Sequence, residues 1–139
     1  MLTRLIAHND QVPLTSNALT RFHSRTAPGI SVYDYLIRII RFTNVESCVL
    51  LALLQYVDRA CTALADFTIS SLTVHRFIIA GVACGSKALC DSFCTNSRYA
   101  RVGGVTVAEM NLLEKEFLTA LEWRVLVRCL HKALRACHI

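Results

Sequence analysis

The stretch FIIAGVACGSKALC, residues 77–90, is the most apolar run in the chain, and it contains one charged residue, Lys87. A helix that is apolar nearly all round is typical of the centre of a bundle, with neighbouring helices packed against it. Small side chains interrupt the apolar ones at Ala80, Gly81, Ala83 and Gly85. We therefore predict a central buried helix from about residue 71 to residue 89. A charged amine is expensive to bury without a partner, so the surroundings of Lys87 need an explanation.

Capping boxes, in which a hydroxyl and an acidic side chain satisfy unpaired backbone amides, indicate the starts of three further helices. The matching tetrapeptides are Ser31–Asp34, Thr43–Glu46 and Thr106–Glu109. Apolar residues follow each of them at helical spacing. A fifth helix is predicted within about residues 123–136, whereas turn-forming residues and a glycine pair predict a loop over residues 91–104. Because no strand-like alternation accompanies these helices, we predict an all-α fold.

The first 30 residues differ in character from the rest of the chain. Residues 2–10 are compatible with a short helix, and a broken segment follows that ends at Pro28 and Gly29. Apolar residues are the expected anchors of this segment on the helical bundle: Leu5, Ile6, Leu19 and Phe22. We therefore predict an N-terminal extension over residues 1–30, which packs on a single helical domain over residues 31–139.

Length, composition and charge narrow the classes of protein and of partner. The chain has 139 residues, enough for one domain with a hydrophobic core. Although 54% of its residues are hydrophobic, no apolar run approaches the roughly 18 residues needed to span a bilayer, so we expect no membrane partner. Seven cysteines and a charged N-terminus without a signal peptide favour reduced thiols in the cytoplasm or nucleus. The formal net charge of +5 is spread over scattered arginines, so we expect no nucleic acid partner.

The cysteines do not have the spacing of a structural zinc site. Cys84, Cys90 and Cys94 lack the paired C-x2-C pattern, and we therefore expect no metal. The same holds for the group near the C-terminus, which consists of Cys129, His131, Cys137 and His138. No serine or cysteine lies in a glycine-flanked elbow, and no glycine-rich loop leads from a strand into a helix. We expect no enzymatic activity, no cofactor and no small-molecule substrate.

Several charged residues lie within the predicted apolar helices: Asp58, Arg59, Lys87 and Glu114. Periodicity alone favours an ordinary interpretation, in which Lys87 extends its alkyl chain outward and Glu114 is solvated. The alternative is that these charges are kept for a binding partner.

Residues 31–124 resemble a cyclin box, and the subfamily they resemble is the P/U type, the phosphate-regulon cyclins of fungi and protozoa. The resemblance rests on SVYDYLIRIIRFT, LLQYVDRAC, TISSLTVHRFIIAGVACGSKALCDSFCTNSRYARVGG and AEMNLLEKEFLTALEW. Upstream, LTRFHSRTAPGIS is similar to the segment that leads into the box in this subfamily. The resemblance implies a five-helix cyclin-box bundle around the central helix. It also implies a regulatory subunit that binds and activates a cyclin-dependent protein kinase by gripping the region of the kinase C helix.

The resemblance also implies which residues contact the kinase. The family uses a lysine late in the third box helix and a glutamate in the fourth to bind main-chain groups of the kinase. Lys87, in GSKAL, and Glu114, in NLLEKEF, match them, and Asp91 matches a loop position that meets kinase arginines. The given residues differ from mitotic cyclins in two ways: they contain one box, as we expect for this subfamily, and their first box helix, SVYDYLIRI, does not match the hydrophobic docking patch.

Two other classes of function remain open. One is a cyclin-fold domain of a transcription factor that binds nucleic acid, which a salt-dependent DNA shift assay would reveal. The other is a thiol-based redox or metal protein, which would show bound metal or a thiol of low pKa.

Overall fold

The computed structural model describes residues 2–13, 19–65 and 67–126, and within these ranges it contains helices and turns but no strand. The prediction of an all-α fold is confirmed. The described helices are α1 (Leu2–Asn9), α2 (Val32–Thr43), α3 (Ser47–Ala63), α4 (Val74–Leu89), α5 (Asn96–Gly103) and α6 (Val107–Ala120). None of them is long and apolar enough to cross a membrane.

Helix α4 is the predicted central helix, and it contacts α2, α3, α5 and α6. Every residue from Phe77 to Ser86 is buried. Gly81 allows the closest approach, because a Cβ there would lie 2.5 Å from Leu53 Cδ2 and 3.3 Å from the Phe117 ring. This packing explains why small residues interrupt the apolar ones, since larger side chains would push α3 and α6 away.

Two of the three predicted capping residues cap their helices. Ser31 Oγ accepts from the Asp34 amide, and Thr106 Oγ1 accepts from the Glu109 amide, both at 3.1 Å. The prediction for Thr43 is wrong, because this residue belongs to the last turn of α2. Its hydroxyl is buried and donates to the Ile39 carbonyl oxygen at 2.6 Å, the usual way to satisfy a buried threonine inside a helix.

The prediction of a loop over residues 91–104 is also wrong, because α5 lies within this range. Thr95 Oγ1 caps this helix by accepting from the Arg98 amide at 3.3 Å, and Gly104 ends it in the left-handed conformation with φ 74°. The polar and glycine residues are therefore the helix caps. Counting α5, the described bundle has the five helices that the resemblance implies, α2 to α6. The fifth helix predicted within residues 123–136 is not found at residues 123–126, and its remainder falls outside the described residues.

The described part of the N-terminal extension contacts the bundle at several points. Phe22 is fully buried and packs edge-on against Phe77 and Phe117, with ring centroids 5.3 and 6.4 Å apart. Ile6 is buried as well, whereas the other two expected anchors, Leu5 and Leu19, are exposed. The boundary at residue 30 stays a prediction.

Candidate functional site

Lys87 and Glu114, which the sequence places 27 residues apart, meet at one end of the bundle. Lys87 lies in the last turn of α4, and Glu114 lies in the middle of α6. The Lys87 Nζ donates to Glu114 Oε1 at 2.8 Å. A cation in the last turn is also favoured by the negative end of the helix dipole. Lys87 therefore has a partner within the chain, a contact that periodicity did not predict.

Two asparagines extend this ion pair into a network. Lys87 Nζ also donates to Asn96 Oδ1 at 2.7 Å, and Asn96 Nδ2 donates to Glu114 Oε2 at 2.7 Å. The same amide nitrogen donates to Asn111 Oδ1 at 2.8 Å. Asn96 is the first residue of α5, so it joins the ends of α4 and α5 to α6. Sequence reasoning missed Asn96 because the segment around it was predicted as a loop.

The network is only partly buried and keeps unused hydrogen-bonding capacity. The side chains of Lys87 and Glu114 remain 30% and 20% exposed. Two of the three N–H groups of Lys87 donate to Asn96 and Glu114, which leaves one donor. The Glu114 carboxylate can accept further bonds, because each oxygen has two lone pairs. The arrangement can therefore offer a donor and an acceptor side by side to a second molecule.

Asp91, the third predicted site residue, does not join the network. It is exposed and follows Cys90, the residue that ends α4. Within the described ranges, its carboxylate makes no ion pair or hydrogen bond to another side chain. An exposed aromatic residue, Phe93, lies two residues further in the same connection and is 54% exposed. An acid and a large apolar side chain are thus both exposed on the connection between α4 and α5.

Cys84 packs under the network but is not suited to thiol chemistry. Its Sγ lies 3.9 Å from the Glu114 carbonyl oxygen, and the residue is buried. Burial, followed by the nearby Glu114 carboxylate, raises the pKa of the Cys84 thiol far above its ordinary value. A thiol that stays protonated is a poor nucleophile and a poor metal ligand.

One group of potential metal ligands lies in the described part of the chain, and it consists of Glu46, Cys48 and Cys90. Their ligand atoms all lie within 4.8 Å of one another. Burial, Cys48 and Glu46 raise the pKa of the Cys90 thiol to about 12. Sequence spacing did not reveal this group, because its members come from two helix ends. The expected absence of a metal site stays a prediction, and the C-terminal cysteines and histidines lie outside the described residues.

Comparison with known proteins shows which family model this chain matches and which proteins it is similar to. The family model described as Cyclin matches residues 3–125. The Nuc-1 negative regulatory protein preg of Neurospora crassa is 50% identical over 128 residues, which cover 90% of this chain and 26% of the relative. PHO85 cyclin PHO80 of Saccharomyces cerevisiae is 43% identical over 132 residues, covering 92% of this chain and 45% of the relative. Cyclin-U4-1 of Arabidopsis thaliana is 35% identical over 124 residues, which cover 87% of this chain and 61% of the relative. The chain spans less than two thirds of the length of each of these relatives.

Proposed function

The chain belongs to the cyclin family, within the PHO-like P/U-type subfamily that its motifs predict, and on this premise we propose that it regulates a cyclin-dependent protein kinase. The chain binds the kinase beside its C helix and holds that helix in the active position. This position completes the lysine–glutamate ion pair that the kinase needs for phosphoryl transfer. The chain contributes no catalytic group, cofactor or metal, and it acts in the cytoplasm or nucleus.

Lys87 and Glu114 form the centre of the proposed kinase-binding site, with Asp91 at its edge. The observation that carries this assignment is the partly exposed network in which Asn96 holds the two charges side by side. The remaining Lys87 donor is suited to a main-chain carbonyl oxygen of the kinase, and the Glu114 carboxylate is suited to a main-chain amide. Because both side chains are already ordered, less conformational entropy is lost when the kinase binds.

The proposed site differs from an ordinary structural ion pair in what its loss would affect. A structural pair contributes to the free energy of unfolding, and its removal leaves kinase binding intact. A binding pair contributes chiefly in the complex, where losing one charged hydrogen bond costs roughly 1.5–3 kcal/mol. That cost corresponds to an affinity loss of about 10- to 150-fold.

The experiment uses PHO85, because the Saccharomyces relative is named as a PHO85 cyclin. Purified PHO85 is assayed for phosphorylation of a peptide substrate, alone and with increasing amounts of the chain. We expect the chain to stimulate phosphotransfer by PHO85 and to show none when assayed alone. A chain that binds PHO85 without stimulating it would contradict activation. Phosphotransfer by the chain alone would contradict a purely regulatory role.

A further inference from the structure

A basic pocket lies between α2 and α5, and neither Lys87 nor Glu114 lines it. The pocket has a volume of about 380 Å³. Its lining residues are Arg38 and Phe42 from α2 and Arg98, Arg101 and Val102 from α5. Three arginines thus line one opening, and no acidic residue among those that the structure describes lines it.

The three arginines are not neutralised by acidic residues in the described part of the chain. The ion pairs found there involve Arg76, Lys87 and Arg124 as the cations. Asp34 lies four residues before Arg38 on α2, a spacing that favours an ion pair, but no ion pair forms between these two residues. Burial raises the pKa of the nearby Tyr35 to about 12, so its phenol is neutral at physiological pH and supplies no negative charge. The pocket therefore attracts anions.

Two of the arginines are held in place before any ligand binds. The Arg38 guanidinium carbon lies 5.1 Å from the centroid of the Tyr35 ring, and the Tyr35 hydroxyl donates to the Gly103 carbonyl oxygen at 3.0 Å. The Nε of Arg38 is buried and has no hydrogen-bond partner among the residues that the structure describes. Arg98 Nε donates to the Phe42 carbonyl oxygen at 2.8 Å, which leaves its two terminal nitrogens for a ligand. The aromatic contact and the backbone hydrogen bond therefore order two of the three arginines that line the pocket.

We propose that this pocket binds the phosphoryl group of a phosphoserine or phosphothreonine in a protein segment. The planar guanidinium group binds phosphate oxygens in pairs, which makes arginine the preferred side chain for this task. The pocket is larger than a single phosphate ion fills, and Phe42, which is 48% exposed, offers an apolar wall to the neighbouring residue of the segment. The assignment does not depend on the proposed kinase-binding site.

The test measures fluorescence anisotropy of the full chain with two labelled peptide pools of random sequence. One pool has phosphoserine at the central position, and the other has serine there. We expect the phosphoserine pool to bind and the serine pool to bind at least about 10-fold more weakly. Inorganic phosphate is titrated separately by thermal shift and as a competitor.

The test variant is Arg101→Gln, and the matched control is Arg41→Gln. Both arginines are exposed and lie in the last turn of their helices, but Arg41 is outside the pocket. We expect Arg101→Gln to weaken binding of the phosphoserine pool by about 10-fold, the effect of one charged hydrogen bond, and Arg41→Gln to leave it unchanged.

Three results would overturn the proposal. Equal binding of the two pools would show that the phosphoryl group is not recognised. Equal losses in Arg101→Gln and Arg41→Gln would show a general response to positive charge. Binding of inorganic phosphate without binding of the phosphoserine pool would show a site for the free ion.

Discussion

The two ends of α4 carry the same kind of ion pair to α6, but the surroundings of the two pairs differ. Near the N-terminal end, Arg76 pairs with Glu109, and Arg76 Nε also donates to the Arg21 carbonyl oxygen at 2.8 Å. Near the C-terminal end, Lys87 pairs with Glu114 in the network that Asn96 completes. At the first end, a carbonyl of the chain's own N-terminal segment accepts one of the Arg76 N–H groups. At the second end, no described residue of that segment bonds to the pair, whose further partner, Asn96, belongs to the helical bundle.

This difference indicates that an ion pair between the same two helices can serve two purposes. The Arg76 pair fastens the segment around Arg21 to the bundle, so its contribution belongs to the folded chain itself. The Lys87 pair holds two charges in position at a partly exposed surface, which suits a contribution to binding. Substitutions at the two ends should therefore divide into changes of stability and changes of kinase affinity.

The largest effect is expected at the N-terminal end from Phe22→Ala. Phe22 is fully buried among the rings of Phe67, Phe77 and Phe117, so its truncation should lower the free energy of unfolding by about 3–5 kcal/mol. Chemical denaturation measures this loss, with Leu19→Ala as the control because Leu19 is exposed.

Two outcomes would contradict this prediction. One is an equal loss of stability in Leu19→Ala, and the other is a weaker affinity for PHO85 without any loss of stability in Phe22→Ala. If the alanine variant does not fold, Phe22→Leu should fold with a loss of about 1–1.5 kcal/mol.

The next largest effect is expected at the C-terminal end from the double variant Lys87→Ala/Glu114→Ala. Its affinity for PHO85 should fall by about 10- to 150-fold, because at least one charged hydrogen bond to the kinase is lost. The two single losses should not add, since the two side chains contact each other. Isothermal titration calorimetry measures the affinity, and thermal melts should show a stability loss of about 1 kcal/mol or less.

The matched control exchanges the pair at the other end, in Arg76→Ala/Glu109→Ala. This variant should bind PHO85 as the unmodified chain does. If both double variants lose affinity to the same extent, the distinction between the two ends of α4 is wrong.

A smaller effect is expected from Arg76→Ala alone. This change removes a partly buried ion pair and the hydrogen bond to the Arg21 carbonyl, so the free energy of unfolding should fall by about 1 kcal/mol. Limited proteolysis should cut faster between residues 19 and 30, because the segment there is held less firmly. Arg41→Ala, at an exposed residue without an ion pair among the described residues, should change neither measurement.

The smallest effect is expected from Asn96→Ala. Asn96 does not need to touch the kinase; it positions Lys87 and Glu114 through hydrogen bonds of 2.7 Å. We expect the affinity for PHO85 to fall about threefold, or roughly 0.6 kcal/mol, which is within the range for one hydrogen bond. Asn111 bonds to Asn96 but not to Lys87 or Glu114, so Asn111→Ala should lower the affinity for PHO85 less than Asn96→Ala does. A larger loss of affinity in Asn111→Ala would contradict the positioning role of Asn96.

The sequence was sufficient to predict α4 because its apolar residues leave no polar face and its length is that of a helix. It was not sufficient for α5, because NSRYARVG is short and polar, and such a helix is stable only through packing. That packing comes from Tyr99, Ala100 and Val102, which are buried against other helices. The prediction of a cap at Thr43 failed for a related reason. A threonine hydroxyl can accept from an amide later in the chain or donate to a carbonyl in the preceding turn. Because Thr43 is buried at the end of α2, its hydroxyl donates to the Ile39 carbonyl oxygen.

Sequence motifs predicted two residues of the candidate site but not the contact between them. Lys87 and Glu114 were identified from the stretches GSKAL and NLLEKEF, but their contact depends on how α4 and α6 pack, which local periodicity does not specify. Asn96 was missed because its place next to Lys87 depends on α5. The group of Glu46, Cys48 and Cys90 was missed for the same reason, since a helix start and a helix end come together only in the fold.

The burial of α4 from Phe77 to Ser86 has a consequence for hydrogen exchange. Because α4 contacts four other helices, its amides can exchange with solvent only when the bundle opens as a whole. Lys87 lies one residue beyond this stretch, so the proposed kinase contact is attached to the part of the described chain that we expect to exchange most slowly. The contact should therefore persist through fluctuations that open the connections between helices, and it should be lost only in global unfolding.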